Sequence, residues 1–295
     1  MRGVHLIRAA VCRAFLACLL AAAGGVRAAP VVTILEGDAA LTRGTSRFVL
    51  AEGVKLQQTD IVEVSDKGLL QIEFGDGLIV ALGPGARALL TSLGGKAGIE
   101  MFVLAGWAKL VTAAPALRLV TPTATLTLNN DVAVLLRDPA LLSIFCEQGD
   151  IKLAEPPPGK GADRQVGLRN GDFYTRKEFD KGEIASRPAK AFVADLPKAF
   201  HDNLPARAAR FANRVVEPRK IGEIAYPEAE AWLTSTQPVR RILVPRWHGR
   251  AKDTAFRKGL IANLAAHPEW DRILFPEKYL PKQPPPEALQ KPRAY

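Results

Sequence analysis

The sequence has few of the residues that usually carry chemistry: 3 cysteines, 4 histidines and 2 methionines among 295 residues. Cys12 and Cys18 lie near the N-terminus, inside a segment that we interpret below as a cleaved signal. Cys146 is then left without an intramolecular disulfide partner. It ends the apolar run 141–146, which predicts a small buried side chain and not an exposed reactive thiol.

Motifs for the common catalytic and metal sites are missing as well. The histidines after the signal are too far apart for a zinc site, and no serine-hydrolase elbow, phosphate-binding loop or zincin motif occurs. Carboxylates do stand beside glycines, as in Glu36-Gly37-Asp38 and Gly75-Asp76-Gly77, but each such turn supplies too few oxygens for a calcium loop. We therefore expect turn-capping aspartates, no metal, no cofactor and no enzymatic activity.

Long hydrophobic runs are also missing, since no apolar run reaches the roughly 20 residues of a membrane-spanning helix. The N-terminus instead has a basic start, the apolar run 14–23 and the small-residue exit Val26-Arg27-Ala28. This pattern predicts a secretory signal cleaved after Ala28, and hence a periplasmic protein. An uncleaved anchor and lipidation at Cys18 are the alternatives. The formal net charge of the full chain is +10, to which the predicted signal contributes four arginines.

What the sequence contains between residues 29 and 186 is a dense series of strand and turn signals. The runs 69–74 and 78–82 flank Gly75-Asp76-Gly77, which predicts a hairpin because that turn needs positive φ. Twelve further short strands are predicted: 31–35, 39–41, 61–64, 88–90, 101–104, 108–111, 117–121, 125–128, 132–136, 141–145, 151–153 and 165–168. Their spacing of about ten residues predicts a mainly β domain built as a sandwich, barrel, β-solenoid or set of stacked hairpins.

From about residue 187 to residue 282 the pattern changes to that of a small α-helical region, followed by a Pro-rich tail, 283–295, that we expect to be disordered. Helices are predicted at 189–195, 198–201, 206–213, 226–233 and 253–267. In the last of these, Asp253 is the expected N-cap, and His267 is expected to be a favourable cation at the C-terminal end. Phe256, Leu260, Ile261 and Leu264 form the expected buried stripe.

The C-terminal region also contains a basic stretch over residues 239–258. It comprises Arg240, Arg241, Arg246, Trp247, Arg250, Lys252, Arg257 and Lys258. A surface of this kind attracts anionic cell-wall polymers or lipid headgroups, and export argues against nucleic acid as the partner. The alternative is a solvated face around a buried Trp247.

Residues 31–186 resemble the FecR domain, a small β-rich extracytoplasmic module. The resemblance is carried by Gly53-Val54-Lys55-Leu56, Asp60-Ile61-Val62, Phe74-Gly75-Asp76-Gly77, Leu82-Gly83-Pro84, Leu104-Ala105-Gly106-Trp107, Leu119-Val120-Thr121-Pro122-Thr123-Ala124 and Gly149-Asp150-Ile151. Two positions depart from the family pattern. Thr59 stands where glycine is usual, and Asn129-Asn130-Asp131 replaces an Arg-Gly-Thr turn.

The best-known FecR-domain proteins are membrane-spanning regulators with a cytoplasmic anti-sigma segment, whereas this chain resembles the exported stand-alone members. Export, the strand-and-turn pattern and the missing catalytic motifs together predict a non-enzymatic binding or interaction module for an envelope protein or a cell-wall polymer. A regulatory component of envelope signalling that works through a separate membrane partner is the alternative. An envelope hydrolase is the third hypothesis.

Overall fold

The structure is a computed structural model that describes residues 29–95, 98–113 and 116–280. The predicted signal, with its cleavage site after Ala28, and the predicted disordered tail 283–295 lie outside the described residues. The described chain is mainly β, with a large N-terminal set of strands and a few short C-terminal helices, so the predicted fold class is confirmed.

The described strands alternate with short turns along almost the whole N-terminal part of the chain. They are β1 (Val31–Glu36), β2 (Ala39–Arg43), β3 (Ser46–Val49), β4 (Ile61–Val64), β5 (Leu69–Phe74), β6 (Leu78–Leu82), β7 (Arg87–Leu93), β8 (Ile99–Val111), β9 (Leu117–Val120), β10 (Thr125–Leu128), β11 (Val132–Arg137), β12 (Leu141–Gln148), β13 (Asp150–Glu155), β14 (Arg164–Arg169), β15 (Phe173–Lys177), β16 (Glu183–Ala185) and β17 (Arg219–Glu223). Every strand predicted from the sequence is present, although the two predicted at 101–104 and 108–111 are one long strand, β8.

These strands form two sheets that face each other. Sheet A has the order β1-β5-β6-β8-β11-β12-β15-β16, and sheet B has the order β17-β3-β2-β4-β7-β8-β9-β10-β13-β14. Among the described strand pairs only β8–β9 is parallel, so the domain consists of stacked antiparallel hairpins and not of the parallel coils of a solenoid.

Strand β8 belongs to both sheets and changes sheet at Gly106. Residues up to Ala105 pair with β7 in sheet B, and residues from Gly106 onward pair with β11 in sheet A. Gly106 has φ +85°, and a Cβ atom there would lie 2.3 Å from backbone atoms of Ala86. Only glycine fits this bend, because the bend combines a left-handed backbone with close contact between two segments of the chain.

Several predicted turns have the backbone that their residues favour. Asp76 (φ 64°) and Gly77 (φ 78°) close the hairpin between β5 and β6, as the sequence predicts. Thr59 (φ 68°) and Asn130 (φ 59°), the two departures from the FecR pattern, also adopt the left-handed region. Asparagine tolerates this region readily, whereas threonine does so at a cost.

The main core fills the space between the two sheets. Leu70, Val80 and Leu135 contribute from sheet A, and Leu41 and Leu90 contribute from sheet B; all five side chains are completely buried. Each sheet thus buries one face against the other, which is the arrangement that alternation of apolar and polar residues along short strands predicts.

The chain after residue 186 covers the outer faces of this sandwich. Its α-helices are Lys190–Ala194, Tyr226–Leu233, Gln237–Trp247, Thr254–Ala262 and Asp271–Leu274, and its 3₁₀ helices are Lys198–Phe200, Ala208–Phe211, His248–Lys252, Leu264–Ala266, Pro268–Trp270 and Pro276–Tyr279. The region is not helical throughout, because β17 adds an edge strand to sheet B beside β3. The sequence does not predict β17, whose residues are all exposed and therefore show no apolar alternation.

Two apolar clusters bind these segments to the sheets. Phe192 and Phe200 pack against Trp107 on the outer face of sheet A. The longer helices form a second cluster with Ile61 and Phe102 on the outer face of sheet B. We call the segment 226–275, which carries this second cluster, the helical layer. It shares a core with the sandwich and does not form a separate body.

The helix predicted at 253–267 is shorter than expected. Asp253 is the N-cap, and its carboxylate accepts a hydrogen bond from the Phe256 backbone N–H at 2.8 Å. The helix ends at Ala262, and a 3₁₀ turn follows, so Ile261 is 45% exposed and does not belong to the buried stripe. Within the helix, Gly259 lies directly against the Tyr226 ring, where a Cβ atom would approach to 2.2 Å, so no larger residue fits there.

Candidate functional site

A large concave surface lies where sheet B meets the helical layer. This cleft of about 650 Å³ is open to solvent and falls within the size range of ligand sites. Strand β2 forms part of its wall with the small residues Ala39 and Ala40, and the helix Tyr226–Leu233 contributes Pro227 and Glu228. Its lining carries the carboxylates of Asp38, Glu63, Asp66 and Glu228 and the guanidiniums of Arg47 and Arg87, and we call it the charged cleft.

An ion-pair network occupies one end of the charged cleft. The Arg47 guanidinium lies 2.6 Å from Glu228 and 3.7 Å from Glu63, and Arg87 lies 3.8 Å from Glu63. Trp232 of the helical layer donates its indole N–H to Glu63 at 3.3 Å. The network therefore links three strands of sheet B to the helical layer.

The network leaves hydrogen-bonding capacity unused. The two contacts of Glu63 with arginine exceed hydrogen-bond distance, and the buried Nε of Arg47 has no partner among the described residues. An unsatisfied buried donor is costly, so the arginine pairs of this network are not optimised for stability.

One wall of the charged cleft is acidic. Asp38 and Asp66 line it, and neither carboxylate has a hydrogen-bond or ion-pair partner within the described part of the chain. For Asp38 the predicted turn-capping role is therefore wrong. Four carboxylates against two guanidiniums make the cleft acidic on a protein whose formal charge is +10. Such a surface attracts a ligand that carries a positive group beside a hydrogen-bond acceptor.

No single stretch of sequence identifies the charged cleft. Its residues come from β2, β3, β4, the start of β7 and a helix more than 130 residues away. Arg47 and Glu228 are brought together because the helical layer packs on sheet B, and neither residue lies in a local motif. Only the packing of distant segments creates the charged cleft, and a single sequence does not reveal that packing.

The predicted basic surface is divided by the fold, and part of it is structural. Arg240 is mostly buried, and it donates to Glu269 at 3.0 Å and to the Ser235 carbonyl at 2.5 Å. Arg257 donates to the Leu274 carbonyl at 2.7 Å and lies over the Phe275 ring.

Two further members of the basic stretch, Arg250 and Trp247, are also structural. Arg250 donates to the Ile224 carbonyl at 3.1 Å and lies over the Phe256 ring. Trp247 is buried, and its indole N–H donates to the Gly44 carbonyl at 2.8 Å, which ties the helix Gln237–Trp247 to the turn between β2 and β3. Arg240, Arg250, Arg257 and Trp247 thus hold the helical layer in place and do not form a free binding surface.

The other four cations of the basic stretch, Arg241, Arg246, Lys252 and Lys258, are exposed. Arg241 and Arg246 are five residues apart on one helix, so they point in directions that differ by about 140°. Lys252 and Lys258 belong to two further elements. The stretch is continuous in sequence but does not give one flat array of charge.

Cys146 is completely buried in the core between the sheets, as the sequence predicts. Burial is the main cause that raises the pKa of its thiol to about 11, so the thiolate is disfavoured at neutral pH. Asp60 and Asp172 also follow the structural interpretation. Asp60 accepts hydrogen bonds from Arg43 and from the Gln57 N–H, and Asp172 accepts one from the Arg169 N–H at 2.8 Å.

His267 does not behave as the sequence predicts. It has no exposed surface, and its Nε2 lies 3.1 Å from the Tyr226 hydroxyl. Burial lowers the pKa of the imidazole, which favours the neutral ring, so the expected helix-capping cation is wrong. Within the described residues no group of three or more candidate ligands could hold a metal ion, and no helix there is long and apolar enough to cross a membrane.

Comparison with known proteins does not identify a family for this chain. No family model matches the sequence, and no curated protein matches it. Two solved structures overlap with part of the chain. Both are described as a candidate anti-sigma factor from Parabacteroides distasonis ATCC 8503, with TM-scores of 0.38 and 0.37 and sequence identities of 13% and 14%. Each overlap covers 45% of this chain and less than two thirds of the other (62% and 63%), and likeness at this level does not establish a shared function.

Proposed function

We propose that this protein is an extracytoplasmic binding module with a FecR-like sandwich, and that it recognises a partner without catalysing a reaction. The charged cleft is its recognition site. The partner is a peptide-bearing component of the cell envelope, either a protein segment or a peptide attached to a wall polymer. Localisation outside the cytoplasm depends on the predicted signal cleaved after Ala28.

The observation that carries this proposal is the unused polar capacity of the charged cleft. The Arg47 and Arg87 guanidiniums and the unpaired carboxylates of Asp38 and Asp66 line the same preformed cleft, which matches the two polar ends of a peptide segment. Backbone carbonyls or carboxylates of the partner would accept from Arg47, and its ammonium or guanidinium groups would meet the acidic wall.

The chemistry of the cleft favours binding over catalysis. Among the described residues no histidine or cysteine lines it, Glu63 and Glu228 are paired with arginine, and the two unpaired carboxylates, Asp38 and Asp66, are exposed to solvent. A general base needs a free, correctly positioned group with a pKa near the working pH. Incubation with peptidoglycan and with generic ester and glycoside substrates tests the hydrolase hypothesis, and measurable turnover would contradict the proposal.

Charge reversal on the acidic wall tests the binding function. The variant Asp38→Lys/Asp66→Lys changes two exposed carboxylates that have no partner in the described structure, so the fold should be retained. The control Asp163→Lys/Asp195→Lys makes the same change in net charge at exposed positions outside the cleft. Each variant and the wild type are cross-linked in intact envelopes and sedimented with purified peptidoglycan.

We expect the cleft variant to lose about tenfold in partner yield, since two reversed charges cost on the order of 1.4 kcal/mol of binding free energy. The control should bind as the wild type does. Equal binding of the cleft variant to the same partner would exclude the charged cleft as the recognition site.

The regulatory hypothesis is a special case in which the partner is a membrane protein of a signalling pathway. It predicts that deletion of the gene changes the transcriptome and that Asp38→Lys/Asp66→Lys reproduces this change. An unchanged transcriptome would leave the binding module without a regulatory role.

A further inference from the structure

A second pocket, of about 340 Å³, shares no lining residue with the charged cleft and differs from it in chemistry. It is formed by the first residues of β1, the end of β5 and the 3₁₀ helix Ala208–Phe211. Its wall is mainly apolar, with Val31, Phe74 and Phe211 as the larger side chains. We call it the alanine pocket, because Ala208, Ala209 and Ala212 keep its rim open.

The local sequence explains why this pocket stays open. In the segment 206–213 (ARAARFAN) the side chain of Phe211 is buried, while the alanines beside it are only partly covered or exposed. The buried carboxylate of Glu73 accepts hydrogen bonds from the backbone N–H groups of Arg207 at 2.7 Å and Ala208 at 3.0 Å. These hydrogen bonds fix the start of the 3₁₀ helix against the sandwich. They also use both oxygens of Glu73, which is the only carboxylate among the described residues that line the pocket.

The surroundings of the alanine pocket are strongly cationic. Lys55 lines it, and Arg207, Arg210 and Arg214 lie on the segment that forms its rim. None of these four side chains forms an ion pair with a carboxylate of the described residues. The ring of Phe211 lines the pocket, and the Arg214 guanidinium lies 5.9 Å from the centre of this ring.

We infer that the alanine pocket binds a single-chain anionic amphiphile of the fatty-acid type. The alkyl chain occupies the apolar wall between Phe74 and Phe211, and the carboxylate meets Lys55 and the rim arginines. An apolar interior with a few polar groups at the mouth is the usual design of a small-molecule site, and the sign of these groups selects an anion. A cationic or zwitterionic ligand, which suits the charged cleft, would be repelled here.

A comparison of decanoate with decanol tests separately whether the pocket binds the alkyl chain and whether its cations bind the carboxylate. The protein is purified from the periplasm of an exporting host, its N-terminus is determined by mass spectrometry, and binding is measured by calorimetry at low and high salt. Decanoate should bind more tightly than decanol, and only its affinity should fall with salt, because screening acts on the charged headgroup.

Two variants locate the site. Ala209→Phe fills the pocket from an exposed position and should reduce the affinity for both ligands about tenfold or more. Lys55→Gln should reduce the affinity for decanoate about fivefold and leave that for decanol unchanged, as expected for a partly exposed ion pair. The matched controls, Ala265→Phe and Lys252→Gln, change exposed positions outside the pocket and should bind as the wild type does.

Three outcomes would overturn the inference. They are the absence of decanoate binding at about millimolar concentration, equal effects of Ala209→Phe and Ala265→Phe, and an Ala209→Phe variant that only changes the oligomeric mass in sedimentation. The last result would assign the pocket to a second copy of the chain. None of these outcomes bears on the charged cleft, whose test uses different residues.

Discussion

The sandwich and the helical layer differ in how much of their structure local motifs predict. In the sandwich, turn aspartates such as Asp172 bond backbone groups close in sequence, here the N–H of Arg169 three residues before it. In the helical layer, Asp253 caps its own helix, but Arg240 reaches Glu269, and Trp247 reaches the Gly44 carbonyl 203 residues away. Local motifs therefore describe the turns of the sandwich well, whereas the packing of the helical layer depends on contacts that no local motif contains.

The bend of β8 gives the largest test of this contrast, because one backbone position in the sandwich determines how both sheets meet. Gly106→Ala places a methyl group 2.3 Å from the backbone of Ala86 and forces alanine into φ +85°. We expect a loss of at least about 3 kcal/mol in the free energy of unfolding, measured by urea denaturation.

The control for this test is Gly167→Ala on the edge strand β14. A Cβ atom at Gly167 meets no heavy atom within 4 Å, and Gly167 has no positive φ. The free energy of unfolding of the Gly167→Ala variant should differ from that of the wild type by less than about 1 kcal/mol. A similar loss for both variants would mean that glycine content in strands, and not the bend at Gly106, determines the stability of the sandwich.

The basic stretch offers a smaller test within the helical layer, because adjacent arginines have different surroundings. Arg240→Ala removes hydrogen bonds to Glu269 and Ser235 and leaves Glu269 without its cation. We expect a cost of about 2 kcal/mol in the free energy of unfolding. Arg241 is exposed and has no ion pair in the described structure, so Arg241→Ala should cost less than about 0.5 kcal/mol.

Equal costs for the two arginine variants would contradict the division of the basic stretch into structural and exposed members. This division also limits the choice of variants in binding experiments. Only Arg241, Arg246, Lys252 and Lys258 can be changed to test contact with anionic polymers without disturbing the helical layer.

The sequence predicts the sandwich well because its signals are local. The hairpin at Gly75-Asp76-Gly77, the strands on both sides of it and the burial of Cys146 each follow from a few adjacent residues. Strand β17 was not predicted, since an edge strand exposed on all sides lacks apolar alternation. The helix Gln237–Trp247 was also missed, because Pro238, Pro245 and several arginines hide its apolar face.

The charged cleft could not be predicted for a related reason. Glu63, Arg87 and Glu228 belong to segments far apart in sequence, and they meet only after the helical layer has packed on sheet B. The alanine pocket was missed as well, because alanines in a short segment resemble ordinary helix formers until the fold places them beside Phe74 and Lys55.

The pH dependence of stability gives the smallest test, and it concerns the buried His267. Burial lowers the pKa of this imidazole in the folded protein, whereas the unfolded chain takes up a proton near pH 6.5. The contribution of His267 is therefore complete above pH 6.5, and it is lost as the pH falls because the unfolded state binds more protons. Between pH 7 and 5.5 the wild type should lose up to about 1 kcal/mol more than His267→Gln in urea denaturation. The exposed His201→Gln variant is the control and should retain the wild-type slope. Equal slopes for wild type and His267→Gln would show that the imidazole has the same pKa in the folded and unfolded states, so that burial in the helical layer would not shift it.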